Sequence, residues 1–304
     1  MVMASFSEQR FKCAGIAFWR ESPMSRFNIH QVEIIQTGLD HPECINFGRD
    51  GTLYAGGFAG QVYRMSPGKF ELKKLAETKG FVGGVAADWN GNVYACNATR
   101  HAVLRVTPEG QETVFCQQAP DGPLIMPNYG SFDKTGNYYV SDSGDYWTPN
   151  GRLIRVKANS AVESVIGGNW HYPNGLAISP KDGAVFMIES TAADILRIPV
   201  KGDGRCGTPE IYAQLQGNVL DGLAFAVNGN LYCSCYYPNR IYVIHPDRNL
   251  ELLIEDQTGE VLNQPTNVAF EPNGTRLFFA NLGGAHVGAF DVGEKGAPLN
   301  YPKL

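Results

Sequence analysis

Four side chains carry the chemistry that can be read first: Glu43, Asn128, Asn174 and Asp221. Glu43, Asn128 and Asp221 stand eight residues before a turn glycine (Gly51, Gly136, Gly229), and Asn174 stands nine before Gly183. Their surroundings are alike: Pro42-Glu43, Pro127-Asn128, Pro173-Asn174-Gly175-Leu176 and Leu220-Asp221-Gly222-Leu223. Taken singly, an Asn or Asp before an apolar strand is a turn cap. Four oxygen-bearing side chains in one aligned slot, two of them acids, form instead a hard ligand set, suited to Ca²⁺ and poor for Zn²⁺. Gly83 and Thr266 fill the same slot in two further copies of the pattern.

A repeated slot needs a repeated element to position it. The turn glycines Gly51, Gly91, Gly136, Gly183, Gly229 and Gly274 are 40, 45, 47, 46 and 45 residues apart. Each is followed by a strand opening with an apolar or aromatic pair, such as Leu53-Tyr54, Val93-Tyr94 or Leu231-Tyr232. A third strand is predicted at 62–65, 103–106, 153–156, 195–198, 241–244 and 287–290, and a fourth at 71–75, 112–116, 162–166, 210–212 and 252–254. Six units of four short strands predict an all-β fold, a six-bladed β-propeller. The sixth unit has no fourth strand after Val292, and residues 31–37 are predicted to supply it, closing the ring and pairing two edges. Residues 28–304 then form the propeller and residues 1–27 an extension outside it. A parallel α/β barrel needs amphipathic helices between its strands, and the pattern holds none of adequate length. Equivalent inner-strand positions of a propeller face one axial channel. Glu43, Asn128, Asn174 and Asp221 should therefore converge there around one Ca²⁺.

Composition narrows the partners. The chain has 304 residues, 43% of them hydrophobic and 18% charged, with 35 glycines, which describes a globular protein of short strands and turns. A formal net charge of -5 and the lack of any basic run argue against nucleic acid. No segment approaches the roughly 18 apolar residues of a membrane helix. Residues 13–19 are mildly apolar, but Glu8 and Arg10 precede them and no cleavage site follows, so no secretory leader is expected. The seven cysteines are odd in number and sit mostly within apolar segments. Buried free thiols of the reducing cytoplasm account for them better than a disulfide framework. Cys233-Ser-Cys235 lacks the second pair a zinc site requires.

With the repeat and the four Pro- and Gly-flanked oxygen ligands in place, the chain resembles the SMP-30/gluconolactonase/LRE-like family of six-bladed propellers over about residues 31–292. Diisopropyl-fluorophosphatase and paraoxonase are wider relatives. The resemblance implies that Glu43, Asn128, Asn174 and Asp221 hold a catalytic divalent metal, commonly calcium, with Asp221 as general base or nucleophile. Sugar-lactonase members place an Arg two residues before the first Asn and an Asp after it; here Met126 and Tyr129 stand there. That departure implies a substrate less polar than a sugar lactone.

Loops predicted to open on the metal side bring Tyr146, Trp147, Tyr236 and His286, and a neighbouring connection brings Trp170. With Met126 and Tyr129 they are the expected substrate contacts, for a small apolar or aromatic molecule. About half of such aromatics serve blade-edge packing instead. Asp142 is expected either to hold a water or an Asn side chain near the metal or to cap its loop. His286 and His101 sit at loop ends, where a proton shuttle or a solvent-facing ring are the alternatives. No Gly-x-Ser-x-Gly elbow, His-Glu-x-x-His motif or phosphate loop is present, so serine-triad and nucleotide chemistry have no support. The leading expectation is a calcium-dependent lactonase. Its rivals are a related propeller enzyme performing isomerisation or condensation, and a non-catalytic binding propeller with a structural metal.

Overall fold

The computed structural model describes residues 25–158 and 162–304. Six four-stranded antiparallel sheets are arranged as blades, and a two-stranded hairpin, Gln118–Ala119 with Gly122–Pro123, lies between blades 2 and 3. The inner strands are Ile45–Phe47, Val82–Ala87, Pro127–Phe132, Pro173–Ile178, Val219–Phe225 and Pro265–Phe270. Each touches the next, and the last touches the first, so they ring one axis. This is the six-bladed β-propeller expected from the repeat. Closure comes from the N-terminal strand Glu33–Thr37, which pairs with His286–Asp291 as the outer strand of blade 6. Residue 31 belongs instead to a 3-10 turn, Ile29–Gln31, capped reciprocally by Asn28 and Gln31.

The first-to-second-strand turns behave as the glycine spacing requires. Five of the six glycines are left-handed, with φ between 73° and 90° at Gly51, Gly91, Gly136, Gly183 and Gly229. In blade 6 the left-handed residue is Asn273, φ 60°, which tolerates that region through its short polar side chain. Strands such as Tyr138–Asp142 and Val185–Glu189 are buried on both faces because each blade packs against two neighbours. Edge-to-face ring pairs join those neighbours, as at Phe47–Phe278, 5.0 Å, and Phe186–Phe225, 5.0 Å.

Two terminal segments do more than the periodicity indicates. The first 24 residues of the expected extension lie outside the described residues. Its last residues touch the body: Arg26 and Phe27 donate backbone bonds to Leu252 and Leu253 at 3.1 and 2.7 Å, and the Phe27 ring meets Phe290 at 5.3 Å. At the other terminus, residues 297–304, with two prolines, cross the end of the channel remote from the ligand slots. Ala297 N–H donates to the Phe225 carbonyl (2.8 Å), Asn300 to Phe132 (2.9 Å) and the Tyr301 hydroxyl to Phe47 (3.1 Å). Trp89 N–H donates to the Pro302 carbonyl at 2.9 Å. Blades 5, 3, 1 and 2 are thereby strapped together. Beneath the strap a void of only about 60 Å³ remains on the axis. No helix of the described residues is long and apolar enough to cross a membrane.

Candidate active site

The ligand slots coincide with irregularities in the ladder. In blades 2 to 6 the inner strand carries one residue more than its partner between the first paired residue and the next regular pair. These bulges fall at Gly83-Gly84, Asn128-Tyr129, Asn174-Gly175, Asp221-Gly222 and Thr266. A bulge breaks the strict alternation of side chains and re-aims the extra residue, here at the open end of the channel. Glu43 stands in blade 1 just ahead of its short inner strand. The glycine after Asn174 and after Asp221 has a steric reason. A Cβ on Gly175 would collide with the Asp221 carbonyl, and one on Gly222 would lie 2.6 Å from the Asn267 Cα. Glycine lets adjacent inner strands approach closely enough for the side chains before them to converge.

Hydroxyl groups lock this arrangement from the neighbouring blade. Ser143 Oγ donates to the Pro173 carbonyl, Ser190 Oγ to the Leu220 carbonyl and Thr266 Oγ1 to the Glu43 carbonyl, each at 2.6 Å. Ser190 Oγ also accepts from Asn174 Nδ2 at 3.1 Å, fixing which way that amide faces. Ser141 and Ser234 take up the bulge N–H groups of Tyr129 (3.1 Å) and Gly222 (3.0 Å). The serines 143 and 190 each stand seven residues past a turn glycine, a spacing visible in the sequence.

Glu43, Asn128, Asn174 and Asp221 are all buried. Burial is the main force on both acids, and it favours their neutral forms. It pushes the Glu43 carboxyl up to about 8, with a Thr266 hydrogen bond pulling the other way. Asp221 is raised well above its ordinary value by burial, then by the Glu43 charge and by Cys233, against a hydrogen bond from Asn174. No Lys or Arg figures among the influences on either acid. Glu43 Oε2 is fully buried without a hydrogen-bond partner. Two adjacent buried carboxylates and an orphaned oxygen are a poor arrangement by themselves and a good one around a cation. Among the described residues no three His, Cys, Asp or Glu side chains gather as a metal site. A cation here must therefore draw on the amide oxygens of Asn128 and Asn174 together with the two acids, an all-oxygen set that fits Ca²⁺.

Around the acids, three phenols share one environment. Tyr172 is held protonated far above neutral pH by burial and then by the Glu43 and Asp221 charges, and Tyr236 is raised by the same causes. Tyr172 Oη donates to Met126 Sδ (3.4 Å), and its ring lies 5.0 Å from Tyr146. Tyr236 Oη accepts from Gln264 at 2.8 Å. Met126, Tyr146 and Tyr236 thus stand at the mouth with the acids, and Tyr172 joins them. Trp147 lies beside Tyr146, their ring centroids 4.9 Å apart.

The other expected contacts lie elsewhere. Tyr129 is buried against Gly84 and lines the small axial void, so it forms the floor of the channel. Trp170 ends the outer strand Val162–Trp170, pairs with Gly151 and packs half-buried on the core. Asp142 is 0% exposed. Its carboxylate accepts from the Ile125 and Met126 N–H groups (3.0 and 2.6 Å) and from Arg152 Nε (2.9 Å), which is the loop-cap alternative. His286 Nε2 lies 2.9 Å from the Val261 carbonyl and 2.7 Å from the Asn281 amide, and His101 Nδ1 lies 2.5 Å from the Ile125 carbonyl. Both rings are occupied structurally. A cavity of about 920 Å³ opens on the opposite end, among surface turns such as Asp133–Asn137 and Ser179–Gly183. It reaches neither acid; the chemistry belongs to the mouth.

Comparison with known proteins agrees with this fold. The model of the SMP-30/Gluconolactonase/LRE-like region matches residues 42–283. A 6-deoxy-6-sulfogluconolactonase of Pseudomonas putida is 26% identical over 242 residues, 76% of this chain and 79% of that protein. Protein STRICTOSIDINE SYNTHASE-LIKE 8 of Arabidopsis thaliana is 30% identical over 173 residues, 51% of this chain; the match spans 45% of that protein, somewhat under half its length. Among solved structures, regucalcin of Agrobacterium tumefaciens, described as a calcium-binding protein, superposes with a TM-score of 0.75 at 15% identity, covering 89% of this chain and 97% of that one. With the family model spanning Glu43, Asn128, Asn174, Asp221 and all six turn glycines, the chain belongs to the SMP-30/gluconolactonase/LRE-like family.

Proposed function

We propose that the protein is a calcium-dependent lactonase acting on an apolar or aromatic lactone, with Glu43, Asn128, Asn174 and Asp221 holding the ion. The observation that carries this reading is the pair of adjacent buried acids, one with an orphaned oxygen, facing an aromatic mouth. Lactonase relatives and the calcium-binding regucalcin support it. When bound, Ca²⁺ supplies Lewis-acid polarisation of the lactone carbonyl and charge stabilisation for its oxygen. The rest falls to the chain. Asp221 in its ionised form takes the proton from a water as that water adds to the carbonyl and returns it to the ring oxygen as the ring C–O bond breaks. In direct attack it displaces the ring alkoxide itself, and a water then splits the resulting anhydride, protonates the alkoxide and frees Asp221. Glu43 contributes charge to the ion site, and the Ser190 bond keeps the Asn174 amide in place. Tyr172 and Tyr236 remain protonated at neutral pH. Tyr236, whose oxygen accepts from Gln264, keeps its O–H as a donor beside the acids, while that of Tyr172 is turned to Met126. Met126 and the aromatic wall present little to a polyhydroxylated ring, so apolar and aromatic lactones should be turned over faster than gluconolactone.

The test uses two variants and a calcium titration. Glu43→Gln should bind Ca²⁺ more weakly and regain part of its activity in excess Ca²⁺. Asp221→Asn keeps an oxygen ligand but loses the anion, so it should stay inactive at saturating Ca²⁺. Wild-type turnover of Asp221→Asn at high Ca²⁺ would remove Asp221 as base, and unchanged calcium affinity in both variants would remove the site. A second reading, non-hydrolytic condensation or isomerisation, draws on the 30% identity to the strictosidine synthase-like protein. Reaction in ¹⁸O-water separates the two, because only hydrolysis places solvent oxygen in the product.

A further inference from the structure

A groove of about 540 Å³ runs outward over blade 4 from the mouth, between the edge loops of blades 3 and 5. We infer that it is the subsite for the part of the substrate remote from the reacting carbonyl, and that it takes a planar aromatic substituent. This rests on the lactonase reading and adds where the substrate lies and what shape it has.

One wall is Tyr146 and Trp147. The indole is 87% exposed and has Tyr146 as its only ring neighbour among the described residues. Its loop is nevertheless fixed. The Asp145 carboxylate accepts from Trp147 N–H (2.8 Å) and Thr148 N–H (3.0 Å), and Asp145 N–H donates to Asn150 Oδ1 (2.8 Å). A large exposed aromatic surface on a backbone already bonded in place gains from a flat partner, and little loop entropy is lost when one arrives. Ser190 forms part of the floor and bonds Asn174, so the groove begins at the ligand shell. The ring series Trp147–Tyr146–Tyr172, with centroids 4.9 and 5.0 Å apart, leads continuously to the phenol that senses both acids. Gln216 and the exposed His171 also line the groove. Among the described residues the Gln216 side chain bonds only through Nε2, to the Ala192 carbonyl at 3.3 Å, which leaves its Oε1 for a polar group on the ring's edge. A groove with an aromatic wall and polar lining groups discriminates a flat ring from an aliphatic ring of equal size.

The probes are γ-phenyl- and γ-cyclohexyl-butyrolactone, with the phenyl lactam as an unreactive binder. The wild type should prefer the phenyl lactone in kcat/KM by about tenfold, the upper end of what one added ring contact gives. In Trp147→Ala that preference should vanish, mainly through KM, and Trp147→Phe should keep most of it. Calorimetry should show the phenyl lactam binding the calcium-loaded wild type about tenfold more tightly than Trp147→Ala. Lactam binding that depends on Trp147, with no lactone hydrolysed, upholds the subsite while the lactonase reading fails. Lactone hydrolysis in which Trp147→Ala changes neither preference nor lactam affinity overturns the subsite alone. Equal handling of phenyl and cyclohexyl lactones by the wild type also overturns it.

Discussion

Removing the cation from the site should make the fold sensitive to alkali, and Glu43→Gln should relieve that sensitivity. Glu43 titrates near 4.5 in an unfolded chain and at about 8 when buried beside Asp221. A carboxyl raised in this way stabilises the fold fully below pH 4.5 and loses that stability as pH climbs to about 8. At ~1.4 kcal/mol per tenfold, the rise corresponds to ~5 kcal/mol. That is a large part of the stability of an ordinary domain. Asp221 is raised by burial and by the Glu43 charge, so it adds a loss of the same sign. Carboxyls held low, such as Asp40, Asp182, Asp256 and Glu294, act in the opposite sense. Their stabilisation disappears only below their unfolded values, so above about pH 5.5 they contribute no slope. Glu189 and Asp194, raised chiefly by burial, share the sign of Glu43 but persist in the variant.

The assay is urea unfolding in chelator from pH 5.5 to 8.5. Wild type should lose several kcal/mol across that range. Glu43→Gln, which deletes one titration and the repulsion on Asp221, should lose distinctly less, Asp221 keeping the share set by its burial, and be the more stable protein at pH 8.5. Excess Ca²⁺ at pH 8.5 should restore the wild type and do less for the variant. A chelated wild type of constant stability, or a variant with the same slope, would refute the carboxylate-pair argument.

Three further outcomes follow from the same contacts. Ser190→Ala frees the Asn174 amide and leaves the Leu220 carbonyl without its donor; calcium affinity should fall roughly tenfold by calorimetry, and unchanged affinity would mean Asn174 needs no such hold. A chain starting at residue 28 should melt several degrees below one starting at residue 25, through loss of the Phe27–Phe290 contact and two backbone bonds. Asp142→Ala removes one of the two carboxylates paired with the buried Arg152, leaving Asp121, and uncaps two N–H groups; it should cost about 1–3 kcal/mol in urea unfolding while leaving calcium affinity in place.

The propeller was legible because a blade is a local object. Its turn glycines and strand pairs recur at 40 to 47 residues, and the slot before each inner strand is fixed by the same period. The equivalent slots of Glu43 and Asp221, which influence one another's charge in the fold, could be read from that alignment alone. Features set by side-chain direction or by contacts between distant segments were not legible. Asp142 stands close to the mouth in sequence, yet its carboxylate turns to Arg152 and two loop N–H groups. Trp170 looked like a connection residue, but the outer strand of blade 3 runs on to include it. Ser143 and Ser190 are ordinary in the chain, and only the approach of the next blade gives their hydroxyls a carbonyl to bind. The strap of residues 297–304 has no periodic signal; its value comes from the four blades it touches.

The central claim is that this mouth hydrolyses a lactone with calcium held by Glu43, Asn128, Asn174 and Asp221. The most direct test is a screen of aromatic, aliphatic and sugar lactones with protein stripped by chelator, then resupplied with Ca²⁺. The account predicts that an aromatic or apolar lactone is opened by the untreated protein, that turnover is lost on stripping, and that it returns with Ca²⁺ in the wild type but not in Asp221→Asn. Lactone hydrolysis that proceeds undiminished in the stripped protein, or a calcium-loaded protein that opens none of these lactones, would contradict it.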